Sequence, residues 1–292
     1  MTATLGLLFC TCSPKHAAVW QHASRNLLRH VHAVDYVVAV PDAAIPLFRS
    51  ITPLEFEVAP DSRYLGISSL PLLAALSAHD PMRVPFYLQQ FVKLEAMAKA
   101  NVDAALLWDG DTVPLRPFAF VDERSRLVFH LSDDRNPTHV EAVRRILGLD
   151  PLVGRSFSAQ CLPVRPEWVR ECLAAIEERH GKPWPEAIAA GIDPGVAAGF
   201  SEYELLGTFF SHRHLEGMAF SASPWLLTGT STIGGIERLD DPAEAHLAEQ
   251  YDYVAFELWD VPPGAFRRML RGAKRFARVT GRAIRRGDNR AG

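Results

Sequence analysis

Short apolar runs alternate with helical patterns over the first 110 residues, and this alternation constrains the fold more than any other feature. The strand-like runs cover residues 4–10, 34–40 and 104–108, and apolar positions recur at helical spacing over residues 17–31 and 85–101. The runs lack a strict apolar–polar alternation, which is typical of strands buried on both faces of a parallel sheet. We therefore predict an α/β fold with a mixed, mostly parallel, Rossmann-like sheet that is flanked by helices.

The rest of the chain continues with shorter elements and ends in a basic tail. Further strands are predicted at residues 54–58, 127–131, 156–160, 161–164, 218–221, 224–228 and 253–258, and helices at residues 166–180 and 201–210. The last helix begins with Ser201 as N-cap and Glu204 three residues later, which is the pattern of a capping box. No repeat or low-complexity linker interrupts the chain, so we predict one α/β unit over residues 1–262 and a tail over residues 263–292.

Two carboxylates directly follow the buried strand at residues 104–108. They are Asp109 and Asp111, separated only by Gly110. Ligands of open α/β sheets bind beyond the carboxyl ends of strands, and two carboxylates there suit Mg²⁺ or Mn²⁺ together with phosphate oxygens and water. Gly110 lets the backbone bend and a ligand approach closely. The alternative is an acidic turn, since Asp-Gly is a common turn dipeptide, but the position after a buried strand favours a ligand site.

Several classes of protein lack their expected motifs in this sequence. It contains no P-loop, G-x-G-x-x-G or G-x-S-x-G motif, which argues against kinases, dinucleotide oxidoreductases and α/β-hydrolases. The four cysteines form no C-x-x-C pair, which argues against a zinc ribbon or a disulfide scaffold. The apolar runs fall short of the ~20 residues of a membrane span. Residues 1–12 do not have the pattern of a signal peptide, so we expect a cytoplasmic protein.

Three segments in this order resemble the GT-A glycosyltransferases, which use nucleotide sugars and carry a D-x-D metal motif. They are Thr11-Cys12-Ser13, then Gln89-Gln90-Phe91-Val92-Lys93-Leu94 with Leu107-Trp108-Asp109-Gly110-Asp111, and finally Phe200-Ser201-Glu202-Tyr203-Glu204-Leu205-Leu206-Gly207. The chain looks in particular like a bacterial group of glycosyltransferase-like D-x-D proteins, over about residues 4–260. The resemblance implies a GT-A-like fold in which residues 1–115 bind the nucleotide sugar and residues 116–262 bind the acceptor.

The resemblance also implies roles for individual residues on the donor side. Asp109 and Asp111 would hold Mn²⁺ or Mg²⁺ on the donor diphosphate, and Asp111 is counted among the catalytic residues. Lys93 would reach the sugar or diphosphate, although a solvated helix lysine is an equal alternative. The complete set of expected donor-binding residues is Thr11, Ser13, Gln90, Lys93, Asp109 and Asp111.

On the acceptor side, the resemblance points to the segment that begins at Ser201. Glu202 is the candidate base for the acceptor hydroxyl, because an inverting transfer needs a proton acceptor; its alternative is a helix-start residue, as for Glu204. Many metal-dependent relatives add a histidine ligand late in the chain, and we expect His212 to be that third ligand. The other candidates are His214 and His246.

Further acceptor contacts are expected in three short segments. They are residues 193–199 as a flexible cover, Ser132-Asp133-Asp134-Arg135 as either sugar contacts or a polar turn, and Trp259-Asp260 after the last strand.

A phosphatase is the alternative interpretation as an enzyme, because residues 109–113 also fit the haloacid-dehalogenase pattern D-x-D-x-[TV]. There Asp109 would be a nucleophile, Asp111 an acid/base, and Ser132 the second motif. About 100 residues of α/β sequence precede the motif, whereas that family begins its domain with it. A non-catalytic GT-A-like binding protein is the third alternative.

The C-terminal tail concentrates positive charge. Residues 267–290 contain ten Arg or Lys and one acidic residue, whereas the rest of the chain contains 21 basic and 33 acidic residues. Apolar positions recur at helical spacing over residues 266–286, which predicts a basic amphipathic helix suited to an anionic membrane surface. Docking on the acidic body of the chain is the main alternative, and no nucleic-acid partner is expected.

Taken together, we expect a metal-dependent glycosyltransferase that moves a sugar from a nucleotide diphosphate sugar to a glycan or lipid-linked acceptor. Bacterial surface polysaccharide synthesis is the expected setting. The protein would lie in the cytoplasm or peripherally on the inner face of the membrane.

Overall fold

The computed structural model describes residues 5–65, 72, 74, 76 and 81–260. The predicted basic helix over residues 266–286 lies outside these residues. The described strands are β1 (Leu5–Thr11), β2 (Ala33–Val40), β3 (Phe56–Pro60), β4 (Ala105–Asp109), β5 (Thr112–Pro114), β6 (Leu127–Phe129), β7 (Cys161–Val164), β8 (Met218–Phe220) and β9 (Tyr253–Ala255).

The helices within the same residues pack around these strands. They are α1 (Ala17–His30), α2 (Ile45–Ile51), α3 (Ser62–Leu65), α4 (Val84–Lys99), α5 (Pro137–Leu147), α6 (Pro166–His180), α7 (Trp184–Gly191), α8 (Glu202–Arg213), α9 (Gly229–Ile233) and α10 (Asp241–Ala248).

The central sheet has five strands in the order β3-β2-β1-β4-β7. Strands β1 to β4 are parallel, and β7 is antiparallel to β4. The chain moves outward from β1 to β3 and then returns to β4 on the other side of β1. The strand order therefore reverses between β1 and β4, and this is where open α/β sheets bind ligands. The predicted fold class, a mixed and mostly parallel sheet flanked by helices, is confirmed.

Two small two-stranded sheets accompany the central sheet, and one of them joins the second part of the chain to the first. Strands β5 and β9 are antiparallel, and the Phe256 N–H donates to the Asp111 carbonyl at 2.8 Å. The late segment around β9 therefore returns to the acidic pair. Strands β6 and β8 form a separate parallel pair. Buried apolar side chains from both parts, including Phe9, Trp108 and Phe210, belong to one core.

Two predicted strands do not form as continuous elements. In segment 156–160, Ser156 forms only a bridge to Ser132, and Gln160 has a positive φ of 65° that ends the extended run. Residues 224–228 run beside β9 with isolated bridges only, because α9 begins directly afterwards. No helix among the described residues is both long and apolar enough to cross a membrane.

Candidate active site

The ends of β1 and β4 place the acidic pair at the reversal point of the sheet. Thr11 lies opposite Asp109 in the parallel register, and the Gly110 N–H donates to the Thr11 carbonyl at 3.1 Å. A Cβ on Gly110 would lie 2.8 Å from that carbonyl and 2.8 Å from the Cys12 sulfur. Such distances are shorter than real Cβ contacts, so only glycine lets the two strand ends approach this closely.

Lys93 on α4 is the centre of a buried polar cluster. Its Nζ donates to Asp109 Oδ1, to Glu202 Oε1 at 2.6 Å and to the Tyr203 hydroxyl at 2.9 Å. A lysine has three N–H donors, and these three acceptors use all of them. The Tyr203 hydroxyl donates in turn to Asp109 Oδ1 at 2.9 Å. Lys93 and Glu202 are each only 3% exposed, so their ion pair is shielded from water.

Two helices hold this cluster in place. Gln90 lies one turn before Lys93 on α4, and its Oε1 accepts the Glu202 backbone N–H at 3.0 Å. Ser201 caps α8, since its Oγ accepts the Glu204 N–H at 3.3 Å. Further along α8, Gly207 packs directly on the Phe157 ring, where a Cβ would come within 2.1 Å of a ring carbon. The N-terminal turn of α8 is thereby fixed against α4.

Burial and the neighbouring charges act in opposite directions on the pKa values of Lys93 and Glu202. Burial alone would lower the pKa of Lys93, but the carboxylates of Asp109 and Glu202 outweigh it and raise that pKa above its ordinary value. Burial raises the pKa of Glu202, and Lys93 opposes the rise. Burial, followed by the charges of Asp109 and Glu202, raises the pKa of Tyr203 well above its usual range. Lys93 therefore stays charged, and Tyr203 keeps its proton.

Asp111 lies in a different environment from Asp109. It is 8% exposed, and its Oδ1 is buried without a hydrogen-bond partner among the described residues. The His16 Nε2 lies 3.5 Å from Asp111 Oδ2, and the other ring nitrogen of His16 lies 3.3 Å from Ser13 Oγ. Burial and the charge of Asp109 raise the pKa of Asp111 to about 7. A buried carboxylate oxygen without a partner is costly, and at this edge of the sheet it is available to a ligand.

Glu257 brings a third carboxyl group to this edge of the sheet. Its Oε1 accepts from Gln160 Nε2 at 3.1 Å, and Gln160 Oε1 accepts from Thr112 Oγ1 at 3.1 Å. Burial and the charges of Asp111 and Asp109 raise the pKa of Glu257 to about 8. Three acidic groups therefore share a partly buried space, and Lys93 reaches only one of them through a hydrogen bond.

The donor set suits a divalent cation that binds together with a substrate. Within the described residues, no three His, Cys, Asp or Glu side chains already converge as a metal site. Mg²⁺ usually takes one or two carboxylates and fills its shell with substrate phosphates and water. The buried Oδ1 of Asp111 and the second oxygen of Asp109, whose side chain is 26% exposed, provide that pair. The residues present therefore fit a divalent cation.

Glu204 does not complete the predicted capping box. Its carboxylate accepts from Ser156 Oγ at 2.6 Å and from the Phe157 N–H at 3.0 Å, whereas a capping box would return it to the Ser201 N–H. The Arg135 Nε lies 3.8 Å from its other oxygen. Glu204 therefore joins α8 to the segment before β7.

The structure does not bring His212 to the acidic pair. His212 lies at the end of α8, ten residues after Glu202 and about 15 Å along the helix axis. Its Nε2 contacts the Asp150 carbonyl oxygen at 2.7 Å. His214 stacks on the Trp168 ring, and His246 is exposed on α10. Among the histidines that the structure describes, His16 lies next to Asp111.

Most of the remaining acceptor-side candidates are held by hydrogen bonds within the protein, and one is exposed. Ser132 Oγ accepts the Asp134 N–H in a polar turn before α5, and Asp260 accepts the Ser231 N–H at 3.1 Å. The loop over residues 193–199 is tied down at Ala198, whose carbonyl oxygen lies 2.9 Å from His139 Nε2. Trp259, by contrast, is 61% exposed two residues after Glu257.

Sequence reasoning missed Tyr203, His16, Gln160 and Glu257. Tyr203 lies within the segment 200–207 that carries the resemblance, but no sequence pattern assigns a role to its hydroxyl. Glu257 is 146 residues after Asp111 and follows a predicted strand. The only available signal was that a late strand could pair beside the motif and end there.

Comparisons with known proteins find a distant likeness to solved structures. No protein-family model matches the sequence, and no curated protein matches it. Among solved structures, the chain is similar to the galactosyltransferase LgtC in complex with donor and acceptor sugar analogues. The alignment covers 86% of each chain, with a TM-score of 0.43 and 11% sequence identity. At this distance the chemistry has to be argued from the residues themselves.

Proposed function

We propose that this protein is a glycosyltransferase that binds a nucleotide diphosphate sugar, together with Mn²⁺ or Mg²⁺, at the ends of β1 and β4. The observation that carries the proposal is the buried, unpartnered Oδ1 of Asp111 beside the partly open carboxylate of Asp109, at the point where the strand order reverses. A divalent cation on a diphosphate satisfies both carboxylates at once. When bound there, the cation would also offset the charge that develops on the departing diphosphate.

The proposal assigns separate tasks to the residues of this edge. Asp109 and Asp111 hold the cation, and the turn after β1, with Thr11 and Ser13, faces the donor. That turn leads into α1, and helix N-termini favour phosphate groups. Glu257 is the proposed proton acceptor for the acceptor hydroxyl, because its carboxyl group lies at the same edge of the sheet as the two aspartates and Gln160 holds its Oε1 in place.

Two residues expected to touch substrates have other tasks in this proposal. Lys93 has no N–H donor left for a phosphate, and Glu202 is only 3% exposed with its Oε1 in an ion pair with Lys93, which keeps it from an acceptor hydroxyl. Lys93 and Glu202 are instead proposed to support the site by holding Asp109 and the first turn of α8 in place. Trp259 is the proposed acceptor contact, because an exposed aromatic ring beside the carboxyl cluster can stack on a sugar.

The acceptor is proposed to be a surface glycan or glycolipid, reached from the cytoplasmic side of a membrane. The support is the charge pattern of residues 266–286, which suits anionic lipids at ~1 kcal/mol per basic side chain near the surface. Flotation with anionic vesicles should recover the full chain. Neutral vesicles, or a chain that ends at residue 262, should not recover it. Equal flotation of both chains would contradict the membrane part of the proposal.

The phosphatase alternative has less support. Its second motif would need Ser132 beside Asp109, but Ser132 follows β6, which pairs with β8 outside the central sheet.

Calorimetry of UDP, GDP, CDP and ADP binding, each with and without Mn²⁺, tests the proposal. We expect one diphosphate to bind only with Mn²⁺, and Asp111→Asn to abolish that binding. Asp122→Asn is the control, because it removes a carboxylate in the turn before β6, where Asp122 pairs with Arg126. Absence of binding to all four diphosphates, or equal binding by Asp111→Asn, would contradict the proposal. Hydrolysis of p-nitrophenyl phosphate would favour the phosphatase.

A further inference from the structure

The hydroxyl of Tyr203 has a defined direction. It accepts from Lys93 Nζ at 2.9 Å and donates to Asp109 Oδ1 at 2.9 Å. A phenol has a single proton, so the lysine contact leaves that proton for Asp109. Lys93 Nζ also lies 4.3 Å from the centroid of the Tyr203 ring, a cation–π distance. The ring and the hydroxyl of one residue are thus both engaged by the same buried cation.

This arrangement constrains one oxygen of Asp109 and leaves the other open. Oδ1 accepts from both Lys93 and Tyr203, whereas no hydrogen bond from the described residues is found at Oδ2. The Asp109 side chain is 26% exposed, although both of its donors are buried. Buried donors therefore hold one oxygen of the carboxylate, and the other oxygen lies on the solvent-exposed side of the site.

Tyr203 is suited to orient a neighbour and not to react. It is 3% exposed, and its hydroxyl is fully engaged, since it accepts from Lys93 and donates to Asp109. It lies at the start of α8, next to Glu202, whose carboxylate engages the same lysine. The first turn of α8 therefore presents one hydroxyl and one carboxylate to α4 and β4.

We propose that Tyr203 is a positioning residue for Asp109: with Lys93 it fixes Oδ1, so that Oδ2 is presented to a divalent cation. This inference rests on the proposed function, and it assigns a residue of the second half of the chain to the donor side of the site. Groups that orient a metal ligand without touching the metal typically change metal affinity by about 10–100-fold. Loss of the Tyr203 hydroxyl should therefore weaken cation binding, with no change in the number of ligands.

Mn²⁺ binding to the full chain, measured by calorimetry with the metal alone, tests this inference. Tyr203→Phe should bind Mn²⁺ about tenfold more weakly than the wild type. Tyr253→Phe is the matched control, because its buried hydroxyl donates to the Ala159 carbonyl at 2.8 Å and should not affect the affinity. Asp109→Asn supplies a double-mutant cycle. If Tyr203 acts through Asp109, Tyr203→Phe should cause little further loss in the Asp109→Asn background.

The outcomes separate this inference from the proposed function. Wild-type affinity in Tyr203→Phe, equal weakening in both tyrosine variants, or full additivity with Asp109→Asn would overturn the positioning role alone. A wild-type protein that binds neither Mn²⁺ nor a nucleoside diphosphate would overturn the proposed function and, with it, this inference. Far-ultraviolet circular dichroism confirms folding. If Tyr203→Phe does not fold, the comparison of Lys93→Arg with wild type replaces it, and unchanged Mn²⁺ affinity would equally overturn the role of the donor pair.

Discussion

Removal of the buried cation at Lys93 should destabilise the fold strongly. Lys93→Met keeps the length of the side chain but leaves Glu202 and Asp109 without their shared counter-charge. Removing one partner of a buried ion pair typically costs about 3–5 kcal/mol. That is a large fraction of the ~5–15 kcal/mol by which domains are stable, and it corresponds to a fall in melting temperature of about 10 °C.

The same helix provides a matched control for this substitution. Lys99 pairs with Glu95 at 2.8 Å, but its side chain is 60% exposed. Exposed pairs of this kind contribute about 0–1 kcal/mol, so Lys99→Met should unfold almost like the wild type. Urea unfolding followed by tryptophan fluorescence at pH 7.5 measures both changes.

The pH dependence of the Lys93→Met variant provides a second test. Without Lys93, the pKa of Glu202 should rise further, because burial already raises it and the opposing charge is gone. A carboxyl group with a raised pKa binds its proton more tightly in the folded state. The loss of unfolding free energy caused by Lys93→Met should therefore shrink as the pH falls from 7.5 towards 5. Glu202→Gln added to Lys93→Met should also recover part of the loss. A loss below about 1 kcal/mol, or a loss that does not change with pH, would refute the reasoning.

Three further predictions concern the strand ends, a buried histidine and the third carboxyl group. Gly110→Ala should cost about 1–3 kcal/mol in unfolding free energy and weaken diphosphate binding, because its Cβ would overlap Cys12 and the Thr11 carbonyl; wild-type values in urea unfolding and calorimetry would contradict this. Burial lowers the pKa of His130 to about 4, so its contribution is complete above pH 6.5 and is lost as the pH falls towards 4. Between pH 7 and 5 the unfolding free energy of the wild type should therefore fall by about 2 kcal/mol more than that of His130→Asn. Parallel pH profiles of the two proteins would exclude this contribution of His130. Glu257→Gln should lower the transfer rate by about 10²–10⁴-fold at nearly unchanged donor affinity; an unchanged rate would remove Glu257 as the base.

The fold could be predicted from the sequence where local signals agreed. Strands β1, β2 and β4 combine apolar runs with nearby turns or helix starts, and their predicted bounds lie within one or two residues of those observed. Residues 156–160 misled the prediction, because the Phe157 N–H and the Ser156 hydroxyl donate to Glu204, and the Ser156 backbone forms only an isolated bridge with Ser132. A partner 47 residues away leaves no local signal.

The candidate site could be predicted only in part for the same reason. The motif at Asp109 and Asp111 is contiguous, and its position after a strand follows from the topology rule for α/β sheets. The roles of Lys93 and Glu202 depend on their mutual distance of 2.6 Å, which joins residues 109 positions apart. Sequence reasoning selected both residues, but it could not show that each engages the other.

The most direct test of the central claim is release of nucleoside diphosphate from nucleotide sugars. Purified protein is incubated with UDP-, GDP- and ADP-sugars and a panel of glycan acceptors, with Mn²⁺ or with a chelator, and the free diphosphate is measured. We predict that one donor is cleaved only with the metal, and that Asp109→Asn and Asp111→Asn each lower the rate at least about 100-fold. Cleavage that persists in both variants, or no cleavage of any donor by a wild-type protein that is folded, would contradict the account.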